Sequence, residues 1–311
     1  MQIFTENFKS SPYWWEKAPR PKIEIKKVPE KIDVAIIGSG YTGLCAALTL
    51  VKAGCEVVVF DAEDAGWGCS SRNGGQVSTS IKPGFRKLCG QFGEAAATKI
   101  IKEGQNSLNW LKNFIAREKI DCSFKVPGRF FAAHNQREFD RLAANLKAQP
   151  ASLEVKAKLV TRAEQRKELG TDIYHGGAVF ESHASLDPAL YHSALLEKVL
   201  KAGVTIITNC RVKKIRKHNA ECSLDTQLGL FNANKVIVGT NGYTGQLTPW
   251  LRRRVIPIGS YMIATDVLDD DLINELMPTD RVISDTRKVL LSPVTRPTPD
   301  HFWRASNNWR S

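Results

Sequence analysis

Residues 31–63, KIDVAIIGSGYTGLCAALTLVKAGCEVVVFDAE, constrain this chain more than any other stretch. IDVAIIG is short, apolar and β-branched, and it ends in glycine, the pattern of a strand buried in a parallel sheet. GSGYTG follows at once and sets glycines at 38, 40 and 43. LCAALTLVKAG then reads as an apolar-faced helix closed by Gly54, and CEVVVFD as a second strand ending in Asp61. Strand, glycine turn, helix, strand and terminal acid occur in the order of a βαβ unit that holds a dinucleotide. Gly38 allows the tight turn out of the strand, Gly40 lets backbone approach a pyrophosphate, and Gly43 lets the helix pack closely on the sheet. The helix N-terminus offers N–H groups and a positive dipole end to the phosphates, and Asp61 can accept from a ribose hydroxyl.

The rest of the composition narrows the class. With 311 residues, 42% of them hydrophobic and 24% charged, the chain can build a large core over two domains or one large one. Its longest apolar runs are far too short to span a bilayer. The start, MQIFTENFKSSPYWWEKAPRPK, lacks the basic-then-apolar pattern of a signal peptide. Seven scattered cysteines, at 45, 55, 69, 89, 122, 210 and 222, form no C-x-x-C pair, which fits a reducing, cytoplasmic setting rather than zinc or disulfides. The net charge of +12 is spread along the chain, with clusters at RVKKIRK (211–217) and RRR (252–254), and no nucleic-acid motif accompanies it. It reads as a solvated basic surface, and RVKKIRK as an exposed strand.

Further along, GVTIITNCRVKKI (203–215) reads as a strand following the helix DPALYHSALLEKVLKAG. NKVIVGTNGYTG is an apolar strand ending in a glycine-bearing turn, where open α/β sheets bind ligands. TKIIKEGQNSLNWLKNFIAREK (98–119) has a helical apolar stripe through Ile101, Leu108, Leu111 and Ile115. REFDRLAANLKA reads as another helix and FKVPGRFFAAH (124–134) as a strand. Trp14, Trp15 and Tyr261 are either cavity-lining aromatics or plain core. The six histidines (134, 175, 183, 192, 218, 301) show no metal-ligand spacing and read as structural or exposed. The βαβ fingerprint leaves NAD and FAD both open. The second small-residue loop, DAGWGCSSRNGGQVSTS (64–80), favours a flat ring system lying against backbone.

Taken together, GSGYTG, the acidic strand end and SSRNGGQ resemble the FAD-dependent amine and amino-acid oxidases of the D-amino-acid oxidase superfamily, and within it the γ-glutamylputrescine oxidoreductase-like group. SPYWWEKAP (11–19), LGTDIYHGGAVFESHASLDPALY (169–191), VIVGTNGYTG (236–245), RRRVIPIGSYMIAT (252–265) and SDTRKVLLSPVTRPTPD (284–300) resemble successive segments of that family, the last being the start of a hairpin. The resemblance implies an α/β fold with an α+β substrate part: a Rossmann-like FAD-binding domain at 1–84 and 186–245, and an interleaved substrate domain, with antiparallel sheet and helices, at 85–185 and 246–301. It implies FAD contacts at Gly38, Gly40, Tyr41, Thr42, Gly43, Asp61 and Ala62. Others follow at Ser70, Ser71, Arg72, Asn73, Gly74, Gly75 and Gln76, at Val212 through its backbone, and at Thr240, Asn241 and Gly242.

The implied reaction is oxidation of the C–N bond of a small amine or amino-acid-like substrate, of the γ-glutamylputrescine type, by hydride transfer to flavin with dioxygen as acceptor. Such chemistry needs orientation and desolvation more than a protein acid or base. The sequence shows no catalytic dyad and no G-x-S-x-G. Arg129 and Arg254 are possible anion partners for the substrate. The family runs on past the hairpin with Phe-Gly-Gly-Arg, where this chain reads Phe302-Trp303-Arg304-Ala305. One deleted base in codons for the latter restores the former, so residues 302–311 read as an aberrant tail after a frameshift. Two alternatives stand beside the enzyme: a truncated, inactive fragment with weak or no FAD binding, and an NAD(P)-dependent dehydrogenase.

Overall fold

The computed structural model describes residues 8–24, 27–259, 261–265 and 267–287, with the strands at 291–292 and 303–306. It divides into two units, each assembled from two stretches of chain: Met1–Asn73 with Pro188–Ile258, and Gly74–Asp187 with Gly259–Ser311. The first unit opens with α1 (Trp14–Lys17), β1 (Ile32–Ile37), α2 (Tyr41–Lys52) and β2 (Val57–Phe60). The second contributes β3 (Gln76–Ser78), α3 (Phe85–Phe92), α4 (Glu94–Arg117), β4 (Arg129–Ala132), α5 (Gln136–Lys147), β5 (Ala157–Val160), β6 (Gly177–Phe180) and β7 (His183–Ser185). The first resumes with α6 (Pro188–Lys201), β8 (Thr205–Ile207), β9 (Val212–His218), β10 (Glu221–Thr226), β11 (Gly229–Val238) and α7 (Pro249–Arg252). The last elements, in the second unit, are β12 (Tyr261–Ala264), α8 (Asp270–Leu276), β13 (Val282–Asp285), β14 (Leu291–Ser292) and β15 (Trp303–Ser306).

The first unit is built on one six-stranded sheet in the order β8-β2-β1-β11-β10-β9. β8, β2, β1 and β11 run parallel, with Ile36 opposite both Val59 and Ile237. β9, β10 and β11 form an antiparallel meander on one flank. β1 and β2 are apolar without alternation because the middle of a parallel sheet has no wet face. Ala35, Ile36, Val58, Val59 and Phe60 have no exposed surface. α2 buries Gly43, Leu44, Ala47 and Leu48 and ends where Gly54 turns the chain at φ +84°.

The stretch 203–215 is two strands rather than the single one its pattern suggests. β8 and β9 lie at opposite edges of the sheet. Between them Asn209 takes φ +52°, and the N–H groups of Asn209 and Cys210 donate to the carbonyls of Glu63 and Asp61. The backbone thus spends its donors on the end of β2 and cannot continue a ladder. β9 does carry its basic residues outward, as the interrupted charge run predicts.

The second unit contains a four-stranded sheet, β13-β4-β6-β5, a two-stranded pair, β3-β7, and a three-stranded sheet, β12-β15-β14. Phe130, Ala132, Val179, Ile273 and Ile283 form the core against the first of these. Ser284 and Asp285 finish β13, which pairs in parallel with β4, and further along 284–300 β14 pairs antiparallel with the next strand, β15, as the start of a hairpin would. Most of the remainder of that segment lies outside the described residues. Of the expected aberrant tail at 302–311, residues 303–306 form β15, antiparallel to β12 and β14, and the others lie outside the described residues. Among the described residues no helix is long and apolar enough to cross a membrane.

Candidate functional site

The first unit carries a cleft of about 970 Å³ at the carboxyl ends of β1, β2 and β11, at the upper end of the size range of small-molecule sites. Its walls come from four segments: the turn after β1, the end of β2 with the loop 66–73, residues 210–213, and the turn after β11. Open α/β sheets bind ligands at this edge, where neighbouring connections leave in opposite directions.

The turn after β1 has the geometry the glycines predict. Gly38 sits at φ +103°, and a Cβ there would be 2.9 Å from the Gly239 carbonyl oxygen, so the turns after β1 and β11 touch backbone to backbone. A Cβ on Gly43 would fall 1.9 Å from the Gly38 carbonyl oxygen, which fixes how closely α2 approaches the turn. Gly40 faces Ser70, whose Oγ would lie 2.9 Å from an added Cβ and accepts from the Tyr41 N–H at 3.1 Å. Asp61, at the end of β2, accepts from Ser39 N–H at 2.7 Å and Ser39 Oγ at 2.5 Å, and its other oxygen accepts from Glu63 N–H at 3.0 Å. The carboxylate is thereby held facing the cleft, with lone pairs left over for a hydroxyl.

The loop 66–73 is fixed from behind. Trp15 Nε1 donates to Ser71 Oγ at 2.7 Å, Ser71 donates to the Gly66 carbonyl, and Trp14 Nε1 donates to the Asn73 carbonyl at 3.0 Å. Trp14 is therefore core, Trp15 braces a loop, and neither lines the cleft; Tyr261 is largely exposed. On the outer side Arg72 lies over the Trp67 ring at 4.5 Å, and the Tyr243 ring approaches Trp67 at 5.7 Å. Beneath both loops sits His192 of α6. Its Nε2 donates to the Ser39 carbonyl at 2.7 Å, and its ring is 2.8 Å from where a Cβ on Gly66 would stand. Burial holds this imidazole below its ordinary pKa, against smaller opposing effects of the Ser39 carbonyl and Asp61.

The cleft brings together Gly38, Gly40, Tyr41, Thr42, Asp61, Ala62, Ser70, Asn73, Val212, Thr240 and Asn241. Gly43 lies beneath the turn, Ser71 and Arg72 support the loop, and Gly242 sits in the turn after β11 with open space about its Cα. Gly74, Gly75 and Gln76 belong to the second unit, where Gln76 opens β3 opposite Ser185. Glu63, Trp67, Cys69, Arg211, Lys213, Tyr243 and Leu247 also line the cleft and were not singled out from the sequence. Of these, Glu63 and Arg211 form an ion pair at 3.0 Å across the mouth, a pairing between distant segments that leaves no local signal. Arg254 stacks on Trp250 at 3.8 Å and donates to its carbonyl. No cluster of potential metal ligands occurs among the described residues. The glycine turn, the oriented acid and the volume of the cleft fit a dinucleotide such as FAD.

Comparison with known proteins agrees with this geometry. A probable oxidoreductase, OrdL, of Rhizobium meliloti is 29% identical over 89% of this chain and 65% of its own length. γ-Glutamylputrescine oxidoreductase of Escherichia coli is 30% identical over 83% of this chain and 60% of its own length. The chain thus spans under two thirds of the length of these relatives. Among solved structures, L-proline dehydrogenase from P. horikoshii superimposes with a TM-score of 0.70 at 19% identity, covering 90% of this chain and 71% of that one. Glycine oxidase from Geobacillus kaustophilus gives 0.66 at 17%, covering 91% and 74%. These two share the fold. The family model described as "FAD dependent oxidoreductase" (DAO) matches residues 33–304, and the chain belongs to that family.

Proposed function

We propose that the chain binds FAD in the cleft of its first unit and serves the oxidation of a C–N bond in a small amine or amino-acid-like substrate, of the γ-glutamylputrescine type, with dioxygen as final acceptor. The observation that carries the reading is the paired turn at Gly38 and Gly239 beside the oriented Asp61 carboxylate, at the carboxyl ends of three parallel strands. FAD, when bound, supplies the hydride acceptor. The chain's own residues hold it. Gly38, Gly40, Tyr41, Thr42 and Gly43 form the pyrophosphate turn, and the α2 N-terminus faces the phosphates. Asp61 and Ala62 receive a ribose, and Val212 the adenine end. Ser70, Ser71, Arg72 and Asn73, with Thr240, Asn241 and Gly242, follow the ring system. The E. coli relative's name supports the substrate class. All seven cysteines are free, which supports a reducing, cytoplasmic setting.

The test is the visible spectrum of the purified chain after FAD is added and the excess removed. The expected result is a retained flavin band, which γ-glutamylputrescine bleaches in the absence of oxygen. A folded, colourless chain would overturn the reading.

A further inference from the structure

The second unit holds a half-buried cation that meets no carboxylate among the described residues. Arg129 opens β4, and Phe131 on the same strand and Phe180, its cross-strand partner on β6, share its face of the sheet. The guanidinium lies over both rings, at 4.9 and 5.0 Å from their centroids. Nη2 donates to Ser80 Oγ at 3.3 Å. Nε is buried without a partner among the described residues. Three more buried polar atoms of this unit share that condition, Gln149 Oε1, His183 Nε2 and Ser284 Oγ, and the last two bear on Arg129. Gly128 N–H donates to the His183 carbonyl at 3.0 Å, which ties His183 to the residue preceding Arg129. Ser284 stands opposite Phe131 in the β13–β4 register and so shares the Arg129 face.

The charges decide what such a cluster can hold. Burial lowers Arg129 only to about 10, so it remains a cation at neutral pH. Burial, and then the charge of Arg129, push His183 down to about 3, so the imidazole is neutral. The unit's other partly buried arginines have carboxylates: Arg281 meets Glu168 at 2.8 Å and Arg287 meets Asp285 at 3.1 Å. Arg129 has none among the described residues.

We propose that Arg129, with Ser80, His183 and Ser284 about it, is a binding site for a small-molecule carboxylate. A guanidinium edge matches a carboxylate with two parallel N–H donors. Phe131 and Phe180 fix the plane of the fork and give the ligand's carbon stem an apolar wall. A neutral imidazole and two hydroxyls can complete the carboxylate's lone pairs without adding charge, so one negative charge balances one positive. A second charge on the same ligand must therefore stay outside the site, in water, on the exposed side where Ser80 lies. Identifying the carboxylate as one borne by the amine substrate rests on the proposed function; the binding site does not.

The experiment is a calorimetric titration of the full chain with sodium glutarate at fixed ionic strength, with thermal melts and flavin retention measured on the same samples. The expected result is saturable one-site binding that raises Tm. Arg129→Met should weaken binding at least about tenfold, the loss of a charged hydrogen-bonded pair, and should melt higher than the wild type without glutarate, because a half-buried charge with an unpartnered Nε is gone. Arg129→Lys, which keeps the charge and loses the fork, should bind more weakly than the wild type. No saturable binding, or an Arg129→Met chain that melts lower and binds glutarate unchanged, overturns the site. Equal binding by Arg129→Lys overturns the bidentate geometry. Glutarate binding without flavin retention sinks the flavin reading and leaves this site standing; flavin retention without glutarate binding does the reverse.

Discussion

Gly43 and Gly54 bracket α2 and obey different constraints. At Gly43 the obstacle is backbone: a methyl group would meet the Gly38 carbonyl oxygen at 1.9 Å and Ile36 Cγ2 at 3.3 Å. Neither can yield without moving the turn or the central strand. Gly54 has φ +84° and open space around it, so alanine there incurs only the left-handed backbone cost. Gly43→Ala should therefore destabilise the chain by about 3 kcal/mol or more and abolish flavin retention, against about 1 kcal/mol for Gly54→Ala, both read by thermal melting. His192 yields a pH prediction. Its folded pKa is lowered, so as pH falls below about 6.5 the unfolded chain takes up a proton before the folded one does. Stability present above that value should decline by up to about 1.4 kcal/mol per pH unit for this group. His192→Gln keeps a donor for the Ser39 carbonyl and removes the titration. Its Tm should fall less steeply than the wild type's between pH 7 and pH 5, and parallel curves would rule out the assignment.

At the scale of elements, α1 is four residues long and isolated helices of that length do not persist in water. It is held because Trp14 is core and Trp15 reaches Ser71, so the segment acts as a brace behind the loop 66–73. Trp15→Phe keeps an aromatic ring beneath Arg20, which lies 4.2 Å from the Trp15 ring, and removes one hydrogen bond. The expected cost is about 1 kcal/mol, with faster amide exchange confined to residues 66–73. The elements also show what a sequence can and cannot display. GSGYTG and Asp61 were legible because strand, turn, helix and acid are adjacent in the chain. Ser39 N–H orienting Asp61, and His192 supporting two loops from α6, were not, because each contact joins positions whose proximity depends on tertiary packing. The break between β8 and β9 was hidden for a related reason. TNCR has no strong breaker, and only the carbonyls of Asp61 and Glu63 draw its backbone away from a ladder.

For the whole molecule, the α/β class and the meander's exposed basic strand follow from local patterning, whereas strand order does not. Nothing in IDVAII states that its neighbours are 57–60 and 233–238. That order has a consequence in time. β1 lies inside the sheet, but Ile32 pairs with Ala233, so one side of β1 waits for a partner two hundred residues later in the chain. At ribosomal speeds of about 5–20 residues per second, that wait lasts on the order of 10–40 s. Throughout it an apolar strand with a single charge, Asp33, presents an open edge to solvent. The yield of folded chain is thus expected to depend on how well that open edge is kept from other nascent chains during the interval.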